Sequence, residues 1–73
     1  MKVYFSRHAT RQMRWRKISN DEVHSTIIDA EKIEVSIQGR KNAFKHIGKK
    51  WLKVTFREEK DIIYIITAID KNS

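Results

Sequence analysis

The chain predicts an α+β fold: two N-terminal helices packed on a three- to four-stranded antiparallel sheet. Three observations predict it. Apolar residues recur at helical spacing before residue 30 and at alternate positions after residue 32. Two serines, Ser6 and Ser19, stand where N-caps belong. No proline interrupts the chain, and both glycines, Gly39 and Gly48, fall among the alternating segments.

The elements follow in order. Lys2–Phe5 reads as a short edge strand, and Ser6 as the cap of a helix over about 7–16. On a wheel of about 100° per residue, Phe5, Ala9 and Met13 share one face and Arg7, Arg11 and Arg14 the opposite one. His8, Gln12 and Trp15 lie on the flank between them. Ser19-Asn20-Asp21-Glu22 is a capping box, with Ile18 and Val23 at staple spacing. Val23, Ile27 and Ala30 then make an apolar stripe that can meet Ala9 and Met13 in a helical hairpin. Ile33, Val35 and Ile37 alternate with polar residues as on a half-buried strand. Gly39–Asn42 reads as a turn, Ala43–Ile47 as a strand and Gly48–Lys50 as another turn. Leu52, Val54 and Phe56 point one way and Lys53, Thr55 and Arg57 the other. Glu58–Asp61 leads into Ile62–Ile69, which is apolar on both faces and so belongs inside the sheet. By simple alternation Ile62, Tyr64, Ile66 and Ala68 share one face and Ile63, Ile65, Thr67 and Ile69 the other. Helices on one face leave the other open, lined by Lys53, Thr55 and Arg57, with Lys45 joining them if its strand is in register.

At 73 residues the chain is one domain. Its core supplies only about 3–5 kcal/mol, which leaves room for a partner or a homodimer to add to it. No cysteine is present, so disulfides, thiolate zinc sites and cysteine nucleophiles are excluded. No apolar run approaches a membrane span, and MKVYFSRH lacks the apolar stretch of a signal peptide, so the expectation is a cytoplasmic protein without a membrane partner. The net charge of +7 is unevenly placed. Residues 1–20 and 35–57 are basic and free of acids, whereas the acids gather in 21–34, 58–61 and at Asp70. Such segregation favours a polyanion, nucleic acid first.

Residues 5–19, FSRHATRQMRWRKIS, followed by Asp21-Glu22-Val23, resemble the opening of a family of short bacterial proteins of unknown function. Its members resemble BrnT and, more distantly, the RelE/ParE toxins. The family pattern is matched by His8-Ala9, Met13, Arg16, Ile18-Ser19, Glu22-Val23, Arg40, Gly48, Leu52, Val54 and Ile65-Ile66-Thr67. Gln12 stands where the pattern has an arginine, and Lys17 where it has a glycine. The resemblance implies a RelE-like fold and a toxin of a type II toxin–antitoxin pair. Such a toxin is a metal-independent endoribonuclease (an mRNA interferase), held inactive by a neighbouring, acidic antitoxin.

RNA cleavage by 2′-hydroxyl attack needs a base, cations on the nonbridging oxygens and an acid for the leaving 5′-oxygen. His8 and His46 are the candidate bases; His24, on the acidic second helix, reads as structural or solvated. The ordinary alternative for His8 is a helix histidine bonded to a sheet carbonyl. Arg7, Arg11, Arg40, Lys53 and Arg57 are the leading phosphate cations, with Lys45, Lys49 and Lys50 in the second basic block. Tyr64 serves either the core or, on the open face, the leaving oxygen. Trp15 and Trp51 can stack bases or pack. Three scattered histidines make no zinc spacing, and no glycine-rich phosphate loop or Ser/His/Asp set is present. The expected partner is RNA, free or on ribosomes. The alternative is a non-catalytic protein that binds nucleic acid or an antitoxin on the same scaffold.

Overall fold

A computed structural model describes residues 2–72. Two helices cover one face of a five-stranded sheet. The strands are β1 (Lys2–Phe5), β2 (Lys32–Val35), β3 (Arg40–Ile47), β4 (Lys50–Glu59) and β5 (Ile62–Asp70), in the order β1-β5-β4-β3-β2. The sheet has one strand more than expected and is mixed: β1 runs parallel to β5, while the other pairs are antiparallel. The first strand is an edge strand as expected, but it belongs to the same sheet as the last. Pairing on both sides is what the two-sided apolar β5 requires.

The helices are α1 (Arg7–Arg16) and α2 (Asn20–Ile28). The Ser6 hydroxyl accepts the Ala9 N–H at 3.0 Å. At the second start Ser19 and Glu22 close the reciprocal box, at 3.1 and 2.8 Å. The end of α1 is a Schellman turn: the Lys17 N–H donates to the Arg14 carbonyl and the Ile18 N–H to that of Met13. This places Lys17 in the left-handed region, φ 57°, a conformation that favours glycine. Helix α1 packs chiefly on β5, and α2 on β3 and β4. The helices therefore meet the sheet side by side instead of closing mainly on each other as a hairpin.

Ala9, Met13, Ile18 and Val23 from the helical half pack on Ala43, Leu52, Val54, Phe56, Ile63, Ile65 and Ala68 from the sheet. The alternation expected for β4 holds along its whole apolar run. In β5 it does not. The register steps from Thr55↔Thr67 to Phe56↔Ile65, so Ile66 is the extra residue of a β-bulge. Beyond it the parity reverses. Ala68 joins Ile63 and Ile65 in the core, and Thr67 and Ile69 stand opposite Thr55 and Lys53 on the open face.

The β2–β3 connection also differs from the sequence reading. The strand stops at Val35, and the reversal is a short 3₁₀ turn, Ile37–Gly39, with Gln38 and Gly39 both at positive φ. Arg40 is thus the first residue of β3 and not part of a turn. That change decides where its side chain can act.

Candidate functional site

One rung of the sheet carries the site. Arg40 on β3 stands opposite Arg57 on β4, Arg57 opposite Tyr64 on β5, and Tyr64 opposite Tyr4 on β1. Paired residues share a sheet face. The row lies on the face away from the helices, because Phe56 and Ile65, their chain neighbours, are core. Just beyond Tyr4 the chain turns at Ser6 into α1, which brings His8 to the end of the row. His8, Arg40, Arg57, Tyr64, Tyr4, Ser6, Ile65 and the bulge residue Ile66 line one hollow of about 320 Å³. Four segments far apart in sequence thus bring a histidine, two arginines and two tyrosines together.

The charges here are unbalanced. Like charges directly opposite on adjacent strands are destabilising, by roughly 0.2–1 kcal/mol. Arg57 is partly compensated: its Nε lies 3.1 Å from the Glu59 carboxylate, and its guanidinium carbon lies 5.1 Å from the centre of the Tyr64 ring. Among the described residues no carboxylate pairs with Arg40. An anion between the two guanidinium groups would satisfy both, and arginine's planar fork suits a phosphate. Tyr64 meets the edge of Tyr4 with ring centres 5.7 Å apart, so its phenol is held among aromatic and cationic neighbours. Tyr64 therefore faces the open side and not the core. His8 is exposed, and no hydrogen bond ties its ring to a sheet carbonyl among the described residues. The ordinary reading of it as a bonded helix histidine does not apply.

The next rung is polar and internally bonded. Thr55 Oγ1 donates to Asn42 Oδ1 at 2.7 Å, and Thr67 Oγ1 donates to Gln12 Oε1. Arg16 reaches the same Gln12 oxygen at 3.2 Å and the Ala68 carbonyl at 2.9 Å. Gln12 thus anchors α1 to the bulged end of β5. Lys53 stands one rung further on, between Phe44 and Ile69, half-buried. It is on the His8 face but outside the hollow.

The remaining sequence candidates lie elsewhere. His46, six residues along β3 from Arg40, has its backbone N–H and Nδ1 held by the Glu31 carboxylate at 2.8 and 3.0 Å. Its ring stacks on Trp51 at 4.0 Å, and Trp51 stacks in turn on Phe44 at 5.7 Å. His46 and His8 therefore do not share a site. Lys45 pairs with Asp29 at 3.0 Å. Lys50 is a structural tie: its ammonium reaches both Glu22 oxygens, at 3.0 and 3.1 Å, and the Lys17 carbonyl. Lys49 is exposed in the β3–β4 turn. His24 is half-buried, with its ring 6.0 Å from that of Phe5.

Arg7, Arg11 and Arg14 do form a row on α1, and with Tyr4, Phe5 and Thr10 they line a second hollow of about 460 Å³. Tyr4 borders both hollows, so the helix cations continue the positive surface of the sheet row. Trp15 stands free on this helix, 87% exposed, beside Arg11, Gln12 and Arg16. A further hollow, about 580 Å³, is at the β4–β5 turn among charges of both signs and contains none of the predicted residues.

Two carboxyl groups titrate below their ordinary 4.5. Burial pushes Glu22 up, but the Ser19 backbone hydrogen bond and the Lys50 ammonium together outweigh it. Glu31 is lowered first by the His46 backbone N–H and then by its side chain. Both lie on the scaffold, away from the hollow. Among the described residues no group of three or more His, Cys, Asp or Glu side chains is arranged to hold a metal ion. Among the described residues no helix is long and apolar enough to cross a membrane.

Tyr4 is the site residue that the sequence reading missed. Its only local signal is an aromatic in a four-residue strand, and the pairing of that strand is not visible locally. No curated protein and no solved structure matches the chain. A family model does match, over residues 5–70, and the chain belongs to that family, described as Domain of unknown function (DUF4258).

Proposed function

We propose that this protein is a toxin-like endoribonuclease, cleaving RNA by internal 2′-hydroxyl attack in the cytoplasm under the control of an acidic antitoxin. The observation that carries the reading is the Arg40–Arg57–Tyr64–Tyr4 rung with His8 at its end. The resemblance of the opening motif to BrnT and the RelE/ParE toxins supports it.

The chemistry maps onto this chain's own groups. Neutral His8 takes the proton of the 2′-hydroxyl, and O2′ forms a bond to phosphorus. Arg40 and Arg57 hold the nonbridging oxygens, on which charge builds in the transition state. The P–O5′ bond breaks, and the leaving oxygen takes a proton from Tyr64, whose phenolate the Arg57 guanidinium stabilises. The products are a 2′,3′-cyclic phosphate and a 5′-hydroxyl. Proton return from His8 to Tyr64 through solvent closes the cycle. The row Arg7, Arg11 and Arg14 carries the flanking phosphates.

The test is expression of the protein alone and as the H8A/R57A variant. The wild type should arrest growth and leave 5′-hydroxyl ends on cut RNA, and the variant should do neither. A wild type that neither slows growth nor cuts RNA, free or on ribosomes, removes the catalytic reading.

One observation favours a second reading. Gln12 is bound to Thr67 and Arg16 and offers no charge where the family pattern has an arginine. A non-catalytic binder of nucleic acid, or of the antitoxin alone, would keep the positive face and lose the cleavage. Nucleic-acid binding through six phosphates should fall about 10³-fold or more between 50 and 200 mM salt and leave the RNA intact. A flat salt response with co-purification of an acidic chain would instead favour antitoxin binding.

A further inference from the structure

The sheet ends in an unfinished edge. β2 is its terminal strand, paired only with β3, and all four of its residues are exposed. Ile33 and Val35 stand opposite Ala43 and Lys41, in register with the core residues Val54 and Phe56 on β4. They are on the core face, yet Ile33 is 54% and Val35 82% exposed, and the flanking Ile28 and Ile37 are 73% and 71% exposed. The apolar face of the sheet runs past the reach of α2.

The backbone of this edge has a defined polarity. Ser36 N–H donates to the Arg40 carbonyl at 2.8 Å. In an antiparallel pair, residues of that parity bond inward and the alternate ones turn their N–H and C=O outward. Ile33 and Val35 therefore present free donors and acceptors to the next strand. On the opposite face Lys32 and Glu34 sit side by side, 3.0 Å apart.

We propose that β2 pairs with β2 of a second copy of this chain, antiparallel about a two-fold axis at Ile33, to make a continuous ten-stranded sheet. With Ile33 opposite the partner's Ile33, both outward N–H and C=O groups are satisfied. The same register sets Lys32 opposite the partner's Glu34, and Glu34 opposite the partner's Lys32. Shifting the register by one step would set Glu34 against the partner's Glu34, so charge selects the first arrangement. Ile33 then meets its counterpart at the axis, and Val35 lies two residues from it, opposite the partner's Glu31. Edge charges ordinarily discourage pairing between copies. Here their alternating sign makes the edge complementary to itself, as a two-fold interface requires.

The experiment is sedimentation of the wild type from about 1 μM to 1 mM with charge variants at the two exposed positions, each first shown folded by circular dichroism. The wild type should form dimers in this range. E34K and K32E should each weaken the dimer about tenfold, although they change the net charge in opposite directions. The swap K32E/E34K should restore it. A wild type that stays monomeric throughout overturns the proposal, as does a dimer indifferent to the single reversals or unrepaired by the swap. A protein that assembles only with a different chain overturns it too.

Discussion

Replacing Arg40 with glutamine should make the protein more stable and bind RNA less tightly. The two effects have one cause. Arg40 faces Arg57 directly across the β3–β4 ladder, and among the described residues only Arg57 has a carboxylate, Glu59 at 3.1 Å. Two unit charges about 6–8 Å apart in a water-like medium repel by about 0.5–0.7 kcal/mol. The partial neutralisation of Arg57 lowers this, so a gain of about 0.3–0.7 kcal/mol is expected for Arg40→Gln at low ionic strength. In a domain of this size that raises the melting temperature by about 1–5 °C. The gain should shrink above about 0.1 M salt, where the screening length nears 10 Å. Added phosphate should raise the melting temperature of the wild type more than that of the variant, because only the wild type has both forks. RNA affinity should fall about tenfold or more, the cost of one charge-assisted contact, and the slope of log K against log salt by about 0.7–0.9. Thermal unfolding with and without phosphate, and RNA titration at several salt concentrations, measure all of this. A variant that melts lower than the wild type at low salt, or that binds RNA equally well with an unchanged slope, refutes the assignment of this rung as an anion site.

Three further outcomes follow from the scaffold. Lys17→Gly should stabilise the protein by up to about 1 kcal/mol, since Lys17 holds the left-handed cap of α1, and equilibrium denaturation should show a higher midpoint at an unchanged slope. Glu22→Gln should cost about 1 kcal/mol near pH 7, through loss of the Lys50 ion pair and of the negative charge at the start of α2, while the glutamine oxygen still accepts the Ser19 N–H. The Glu22 carboxyl is lowered in the fold, so its contribution is present above its ordinary 4.5 and is lost as pH falls through the lower folded value. Wild-type stability should therefore drop below about pH 4.5 and the variant's more gently, Glu31 adding to the acid loss in both. Leu52→Ala, at a fully buried position, should cost about 2–5 kcal/mol and leave so small a domain largely unfolded at 37 °C by circular dichroism.

The features that were legible in the sequence are those set within one or two turns of chain. Ser6 and Ser19 start the helices because a hydroxyl three residues before an amide can cap it wherever the helix goes. The alternation of Leu52, Val54 and Phe56 was readable because a regular strand has period two. The central place of β5 was readable because only an inner strand can be apolar on both faces. A fold of class α+β with an open, basic sheet face follows from these local rules.

The site itself required the tertiary structure. Nothing local in Lys2–Phe5 says that it runs parallel to a strand sixty residues away, yet that pairing brings Tyr4 to Tyr64 and sets His8 at the end of the row. The bulge at Ile66 reverses which half of β5 is core, because one unpaired residue flips every side chain beyond it. The turn at Gln38-Gly39 makes Arg40 a strand residue and puts it opposite Arg57. Sequence reading set Arg40, Lys53 and Arg57 ahead of Lys45, Lys49 and Lys50 in the second basic block, and kept all six as candidates. In the folded chain Lys45 and Lys50 are taken up by Asp29 and Glu22, and His46 by Glu31. Composition and short-range spacing determined that this protein has a positive face. Long-range register decided which of its charges have partners, and it set Arg40, which no carboxylate pairs among the described residues, directly opposite Arg57.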